Sequence, residues 1–277
     1  MNERLRNIRH VALDMDGTIY NGGTLFQSTA PFLSLLKALG IGHTFLTNNP
    51  TKSITDYLAH LQRMGIVTTE DRLYTSTRST IEFLLESQPR LRRLFVLGTP
   101  SMSREMGAAG FVLTADSPAD EPDAVVVGFD NTLTYARLCR AAWWIKQGKP
   151  YFATNPDRVC PTDQPNVLLD CGSICAALER ATGCAPAAVL GKPDPAMLRG
   201  ILHQHRLKAN QLAVVGDRLY TDITMAHRAG ALGVLVLTGE ATAADASKFS
   251  PPPDLVVNGL AEFGALLREA KQEAVKV

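Results

Sequence analysis

The chain has no apolar run near the roughly 18 residues that a membrane-spanning helix requires, so a helical membrane protein is not expected. It also lacks an excess of charge of one sign. Lys and Arg number 28 against 27 Asp and Glu, a net charge of +1. Without a broad basic surface there is no electrostatic case for a nucleic acid polymer as partner, although a local basic pocket for a small anion stays open. A disulfide framework is missing as well. The five cysteines are odd in number and confined to the stretch from Cys139 to Cys184, which suits reduced thiols in a cytoplasm. Only Val11, Ala12 and Leu13 follow the basic first ten residues before Asp14. A secretory leader needs an apolar stretch of about 7–15 residues, so the expected localisation is cytoplasmic. No internal repeat or low-complexity tract is found. With 45% hydrophobic and 20% charged residues in 277, the chain can bury an ordinary core, and its length suits about two domains.

Short β-branched or apolar runs recur along the chain and end in small or polar residues. They are Val11–Leu13, Thr44–Leu46, Leu94–Leu97, Val125–Val127, Val189–Leu190, Ala213–Val215, Val234–Leu237 and Asp254–Val257. Between them lie stretches of helical spacing, such as Pro31–Leu39, Thr55–Met64, Ser173–Arg180 and Pro195–His205. Buried strands alternating with helices predict an α/β fold with a doubly wound parallel sheet. Ligands collect at the carboxyl ends of strands in such sheets, so the residues after each run matter most.

Four of those ends carry chemistry. Asp14-Met15-Asp16-Gly17-Thr18 follows the first run, and Thr47-Asn48-Asn49-Pro50 follows the second. Gly191-Lys192-Pro193 follows Leu190, and Gly216-Asp217 follows Val215, with Asp222 five residues on. Acids, a hydroxyl, amides and a lysine are the parts of a Mg²⁺-dependent phosphoryl-transfer site. Two carboxylates in one place, such as Asp14 and Asp16, do not both ionise cheaply. One can then attack as a nucleophile while the other holds a proton. The same residues also suit a solvated Asp-x-Asp-Gly turn. Asp217 at its strand tip is the better candidate Mg²⁺ ligand. Asp222 can orient the site or act only as a helix-start acid. Lys192 can neutralise phosphate charge, or lie solvated in a loop. Thr47, Asn48 and Asn49 can donate to phosphate oxygens, or form a polar loop before a helix begun near Ser53.

The ordered set of these four motifs resembles the haloacid dehalogenase superfamily of phosphohydrolases from Ile8 to about Val257. It is most similar to subclass IIA, the NagD-type and p-nitrophenyl phosphatase branch. Supporting segments are Leu46-Thr47-Asn48-Asn49, Leu97-Gly98-Thr99, Ala153-Thr154-Asn155-Pro156-Asp157 and Gly191-Lys192-Pro193. The resemblance implies a Rossmann-like core with an inserted α/β cap domain. It also implies a Mg²⁺-dependent phosphatase acting on a small phosphorylated metabolite through an aspartyl-phosphate. Asp14 would be the nucleophile and Asp16 the general acid/base. Mg²⁺ would be held by Asp14, the backbone carbonyl of Asp16, and Asp217. Thr47 and Lys192 would bind phosphoryl oxygens, with Asn48 and Asn49 beside them, and Thr18 and Asp222 in support. A phosphotransferase or mutase would use the same intermediate, and a receiver-type signalling module would hold the phosphoryl group without turnover.

Thr47 and Lys192 are separated by 144 residues, far more than one βα crossover needs. The expected division is therefore a core of 1–78 and 187–277 with a cap of 79–186 inserted. Asn155, Asp157 and Arg158 sit in a turn after an expected strand. They are candidates to face the substrate, or members of a plain turn. Cys160, Cys171, Cys175 and Cys184 read as buried free thiols rather than a zinc site. Trp143-Trp144 reads as packing of a cap helix, and His203-x-His205 as an exposed helix end. The sequence admits a homodimer without specifying one.

Overall fold

The computed structural model describes residues 1–162 and 164–275. It divides into two compact units, one of 1–47, 60–74 and 192–277, the other of 48–59 and 75–191. The long segment of the second unit runs from Thr75 to Gly191, beside the 79–186 expected for the insertion.

The first unit is built on a six-stranded sheet in the order Leu255–Val257, Leu232–Val236, Leu212–Gly216, His10–Asp14, Gly42–Thr47, Leu73–Thr75. The pairings of His10–Asp14 with both neighbours are parallel, with Leu13 opposite Val215 and Asp14 opposite Leu46. Every residue of His10–Asp14 and Leu212–Gly216 is buried, as expected for strands covered by helices on both faces. Chain order runs outward from His10–Asp14 in one direction first and later in the other. The topological switch point therefore falls between His10–Asp14 and Leu212–Gly216, which is where doubly wound sheets bind ligands. On one face Met197, Leu198, Ile201, Met225 and Ala226 pack against Ala12, Leu46 and Val214. Elsewhere in this unit the helices Thr29–Ala38 and Leu260–Val275 meet through Phe32 and Phe263, ring centroids 5.7 Å apart.

His10 adds a pH-sensitive element to this core. It is 3% exposed, shares a hydrogen bond with Thr44 Oγ1 at 2.9 Å and stacks on His205 at 4.4 Å. Burial, followed by the nearby His205, His43 and Arg72, lowers its pKa to about 3. The unfolded chain takes up a proton below about pH 6.5 while the folded chain does not, so stability is full above that pH and falls as pH drops. Between pH 6.5 and 5 His10 alone should cost the native state roughly 2 kcal/mol. Urea unfolding at pH 7 and pH 5 should show His10→Gln losing that much less than the parent. Equal losses would acquit His10.

The second unit carries a five-stranded sheet in the order Ala188–Val189, Tyr151–Ala153, Ala124–Val127, Arg93–Leu97, Val112–Leu113, all paired parallel. Successive strand residues point to opposite faces, and the core divides accordingly. Phe95, Leu97, Val125 and Val127 pack with Trp144, Ile174 and Leu178, while Leu94, Val96 and Val126 pack with Leu84, Met102 and Met106. This sheet too is therefore covered on both faces.

Three expectations need correction. Of the four cysteines expected to be buried, Cys171 and Cys175 are, but Cys160 is only half-buried and Cys184 is exposed. Cys171 and Cys175 are four apart on the helix Cys171–Thr182 and share its inner face, whereas Cys184 lies beyond the left-handed Gly183 that ends that helix. Trp144 is 3% exposed but Trp143 38%, since neighbouring positions on a helix diverge by about 100° and only one can face the core. His203 is exposed as expected, but His205 is half-buried against His10.

Candidate active site

The switch point of the first unit gathers residues from the ends of three of its strands, together with Lys192, where the chain re-enters this unit. Asp14 closes the strand His10–Asp14 and is 7% exposed. The chain then turns through Gly17 at φ +84°, a conformation that L side chains rarely adopt. The turn brings Thr18 Oγ1 back to donate to Asp14 Oδ2 at 3.2 Å. Asp16 is half-buried and its Oδ2 accepts from the Tyr20 hydroxyl at 3.2 Å. Thr47 ends the neighbouring strand and is buried.

Lys192 is 3% exposed and lies between two carboxylates, donating to Asp14 Oδ1 and, at 2.8 Å, to Asp222 Oδ1. Burial alone would lower its pKa, but Asp14 and Asp222 outweigh burial and raise it, so the lysine is held charged. This excludes the solvated-loop reading of Lys192 and the merely helix-starting reading of Asp222. Asp222 sits on the π-helical turn Leu219–Ile223 and is 1% exposed.

Asp14, Asp217 and Asp222 each offer one oxygen within 4.8 Å of the others. Fully ionised, three carboxylates against one ammonium would leave the cluster two negative charges in excess. The cost falls on Asp217, whose pKa is raised to about 8 by burial and then by Asp14 and Asp222. Burial likewise raises Asp222, with Lys192 opposing. Asp217 Oδ1 is buried without a hydrogen-bond partner. An all-oxygen donor set, an excess of two negative charges and an orphaned carboxylate oxygen together fit a hard divalent cation.

A fourth strand end of this sheet, which the sequence reading did not single out, fixes Asp217. After Leu232–Val236, the Glu240 amide donates to Asp217 Oδ2 at 2.7 Å and Thr238 Oγ1 donates to the Gly17 carbonyl at 2.6 Å. A Cβ at Gly239 would meet Asp217 Oδ2 at 2.0 Å, and one at Gly17 would meet it at 2.4 Å. The backbone therefore closes on this carboxylate from both sides. Applying the strand-end rule to Val234–Leu237 would have pointed to Thr238, Gly239 and Glu240.

The remaining expected site residues form a separate group inside the second unit. Asn48 is 6% exposed, and its Nδ2 donates to Asp157 Oδ2 at 3.1 Å. Asn49 Oδ1 accepts from the Thr51 amide at 3.0 Å and the Thr51 hydroxyl at 2.6 Å, an Asx turn. Asn155 is 0% exposed and donates to Asp170 Oδ1 at 2.9 Å, while Asp157 is 3% exposed. Asn155 and Asp157, expected as candidates to face the substrate or as members of a plain turn, are both buried and hydrogen-bonded to Asp170 and Asn48. Arg158, the third of that set, is exposed.

Comparison with known proteins agrees with this architecture. Residues 11–112 match the haloacid dehalogenase-like hydrolase family and residues 189–263 the HAD-hydrolase-like family. Acid sugar phosphatase of Staphylococcus saprophyticus is 32% identical over 93% of this chain and 97% of its own length. Ribonucleotide monophosphatase NagD of Escherichia coli is 28% identical over 94% and 99%. Among solved structures, 4-nitrophenylphosphatase from Thermotoga maritima superposes with a TM-score of 0.88 at 38% identity, covering 95% of this chain and 98% of that one. Glycerol phosphate phosphatase from Mycobacterium tuberculosis, in complex with magnesium, gives 0.84 at 32% identity over 92% and 77%. The chain belongs to the haloacid dehalogenase superfamily, in its NagD-like subclass IIA branch, and is a phosphoric monoester hydrolase. No described helix is long and apolar enough to cross a membrane.

Proposed function

We propose that this chain is a Mg²⁺-dependent phosphatase that hydrolyses a small phosphomonoester through an aspartyl-phosphate on Asp14. The substrate class is a sugar phosphate, nucleoside monophosphate or similar metabolite, in line with what the similar phosphatases are named for. The observation that carries the reading is the pairing of Asp14 with Lys192 and Thr18 inside a cluster of buried acids. Lys192 and Thr18 hold the carboxylate in one orientation, which favours attack by lowering the entropy of reaching it.

In the first half-reaction an Asp14 carboxylate oxygen attacks phosphorus, the bond from phosphorus to the leaving oxygen breaks, and Asp16 gives that oxygen its proton. In the second, Asp16 takes a proton from water, the resulting hydroxide attacks phosphorus, and the Asp14–phosphorus linkage breaks to release inorganic phosphate. Tyr20 holds Asp16 by a hydrogen bond to Oδ2, and Thr47 and Lys192 receive the phosphoryl oxygens. Mg²⁺, held by Asp14, Asp217 and the Asp16 carbonyl, would supply neutralisation of the phosphoryl charge. Asp222 acts through Lys192, which it keeps charged and in place. The inserted segment, expected as 79–186, is proposed to be the cap that selects the leaving group, with the exposed Arg158 as its candidate contact. The proposed setting is the cytoplasm.

Release of inorganic phosphate from p-nitrophenyl phosphate should need Mg²⁺ and stop on thorough chelation. Undiminished release after chelation would overturn the metal-dependent mechanism. A panel of phosphorylated metabolites read by the same assay would then rank the substrates.

A further inference from the structure

The acid cluster lies at the carboxyl end of the central strands, and a second concavity lies at their amino end. It is a cleft of about 630 Å³ within the first unit, bordered by Gly42 at the start of the strand that Thr47 ends. Six strand residues at about 3.3 Å each separate the two ends by roughly 16 Å, so the cleft is not part of the site described above. Its volume lies within the range of small-molecule sites.

The lining comes from several elements. Ala30, Leu33, Ser34 and Lys37 fall on one face of the helix Thr29–Ala38 by their spacing of three and four. His43 lies on the strand, Ile66 and Val67 in the turn after the helix Ile54–Arg63, and Arg72 beyond it. The cleft thus combines an apolar wall, which includes Leu33 and a Val67 that is 90% exposed, with cationic and polar groups contributed by separate segments. No acidic side chain lines it. Burial, and then the nearby Arg72, lowers the pKa of His43 to about 4. The neighbouring cleft of about 310 Å³ is different, because its Lys271 already donates to the carbonyls of Arg6 and Ile8 at 2.6 and 2.8 Å.

We propose that this cleft is a second binding site, for a metabolite-sized molecule with an apolar body and one anionic head. The body lies along Leu33 and Val67, and the head meets Lys37, Arg72 and the Ser34 hydroxyl. An isolated lysine in the last turn of a helix would need no ligand, since it complements the helix dipole. Arg72 and His43, arriving from other elements at the same acid-free cavity, are what such a role leaves unexplained.

The probe is 8-anilinonaphthalene-1-sulfonate, an aromatic body with a single anion and no phosphoester to hydrolyse. Its fluorescence should report saturable binding at one site per chain. The double variant Lys37→Gln/Arg72→Gln should weaken that binding about tenfold or more at low ionic strength. Ala30→Trp, which fills the cleft from an exposed helix position, should abolish it. Hydrolysis of p-nitrophenyl phosphate should stay unchanged in both, reporting an intact fold. Competition by octanoate or by octyl sulfate distinguishes a carboxylate head from a tetrahedral one. No saturable binding, binding indifferent to both variants, or displacement by vanadate at the catalytic cluster would each overturn the proposal.

Discussion

Asp14→Asn should reduce turnover of p-nitrophenyl phosphate by on the order of 10⁴-fold or more, the scale of losing a covalent nucleophile, while the protein stays folded. The two halves of that expectation have separate causes. Asparagine keeps the shape of the side chain, but its amide is too weak a nucleophile to form the acyl-phosphate. Folding survives because Lys192 retains Asp222 at 2.8 Å, so no buried ammonium is stranded. The substitution also removes one of three crowded carboxylates, which relieves repulsion felt by Asp217 and Asp222. Unfolding by urea should therefore show stability equal to or above that of the parent without metal. A rate within tenfold of the parent would remove Asp14 as nucleophile, whereas a collapsed fold would refute the charge balance.

The parts of the site that were legible in the sequence are those that a strand end delivers directly. Asp14, Thr47 and Asp217 follow apolar runs within one or two residues, so the parallel-sheet rule points to them; Lys192 also follows such a run, but that strand belongs to the second unit's sheet. Asp222 was ambiguous because local sequence does not encode burial. What decides its role is Lys192, 30 positions away. The burial of Asn155 and Asp157 was not legible for the same reason. A Thr-Asn-Pro-Asp turn looks solvent-facing, but Asp157 accepts a hydrogen bond from Asn48, 109 positions distant.

The sheets follow a similar logic. The short apolar runs all fall on strands, whereas Leu73–Thr75 and Val112–Leu113 were not foreseen. Such edge strands are defined by the neighbour they pair with, not by their own composition. Thr238 and Gly239 were missed for another reason. Their contribution is a hydroxyl bond to a carbonyl and a missing Cβ, neither of which looks like catalytic chemistry in a sequence.

Lys192→Met should destabilise the metal-free protein by about 3–5 kcal/mol, the cost of removing one partner from a buried ionic group. The lysine is the cation that Asp14 and Asp222 share, and without it the three-carboxylate cluster has an excess of three negative charges instead of two. The folded protein would then bind protons at these acids more tightly than the unfolded chain does. Stability falls with rising pH under that condition, so the penalty should be larger at pH 8 than at pH 5. A second substitution, Asp222→Asn, should recover most of the loss in the Lys192→Met background while costing stability in the parent. The recovery and the cost have opposite signs because Asp222 is a partner to Lys192 in one protein and a bare buried charge in the other. Urea unfolding of the four proteins at both pH values gives the coupling energy directly. Additive effects of the two substitutions would mean that Lys192 and Asp222 do not act as a pair, and a pH-independent penalty would mean that the lysine's contribution is packing rather than charge.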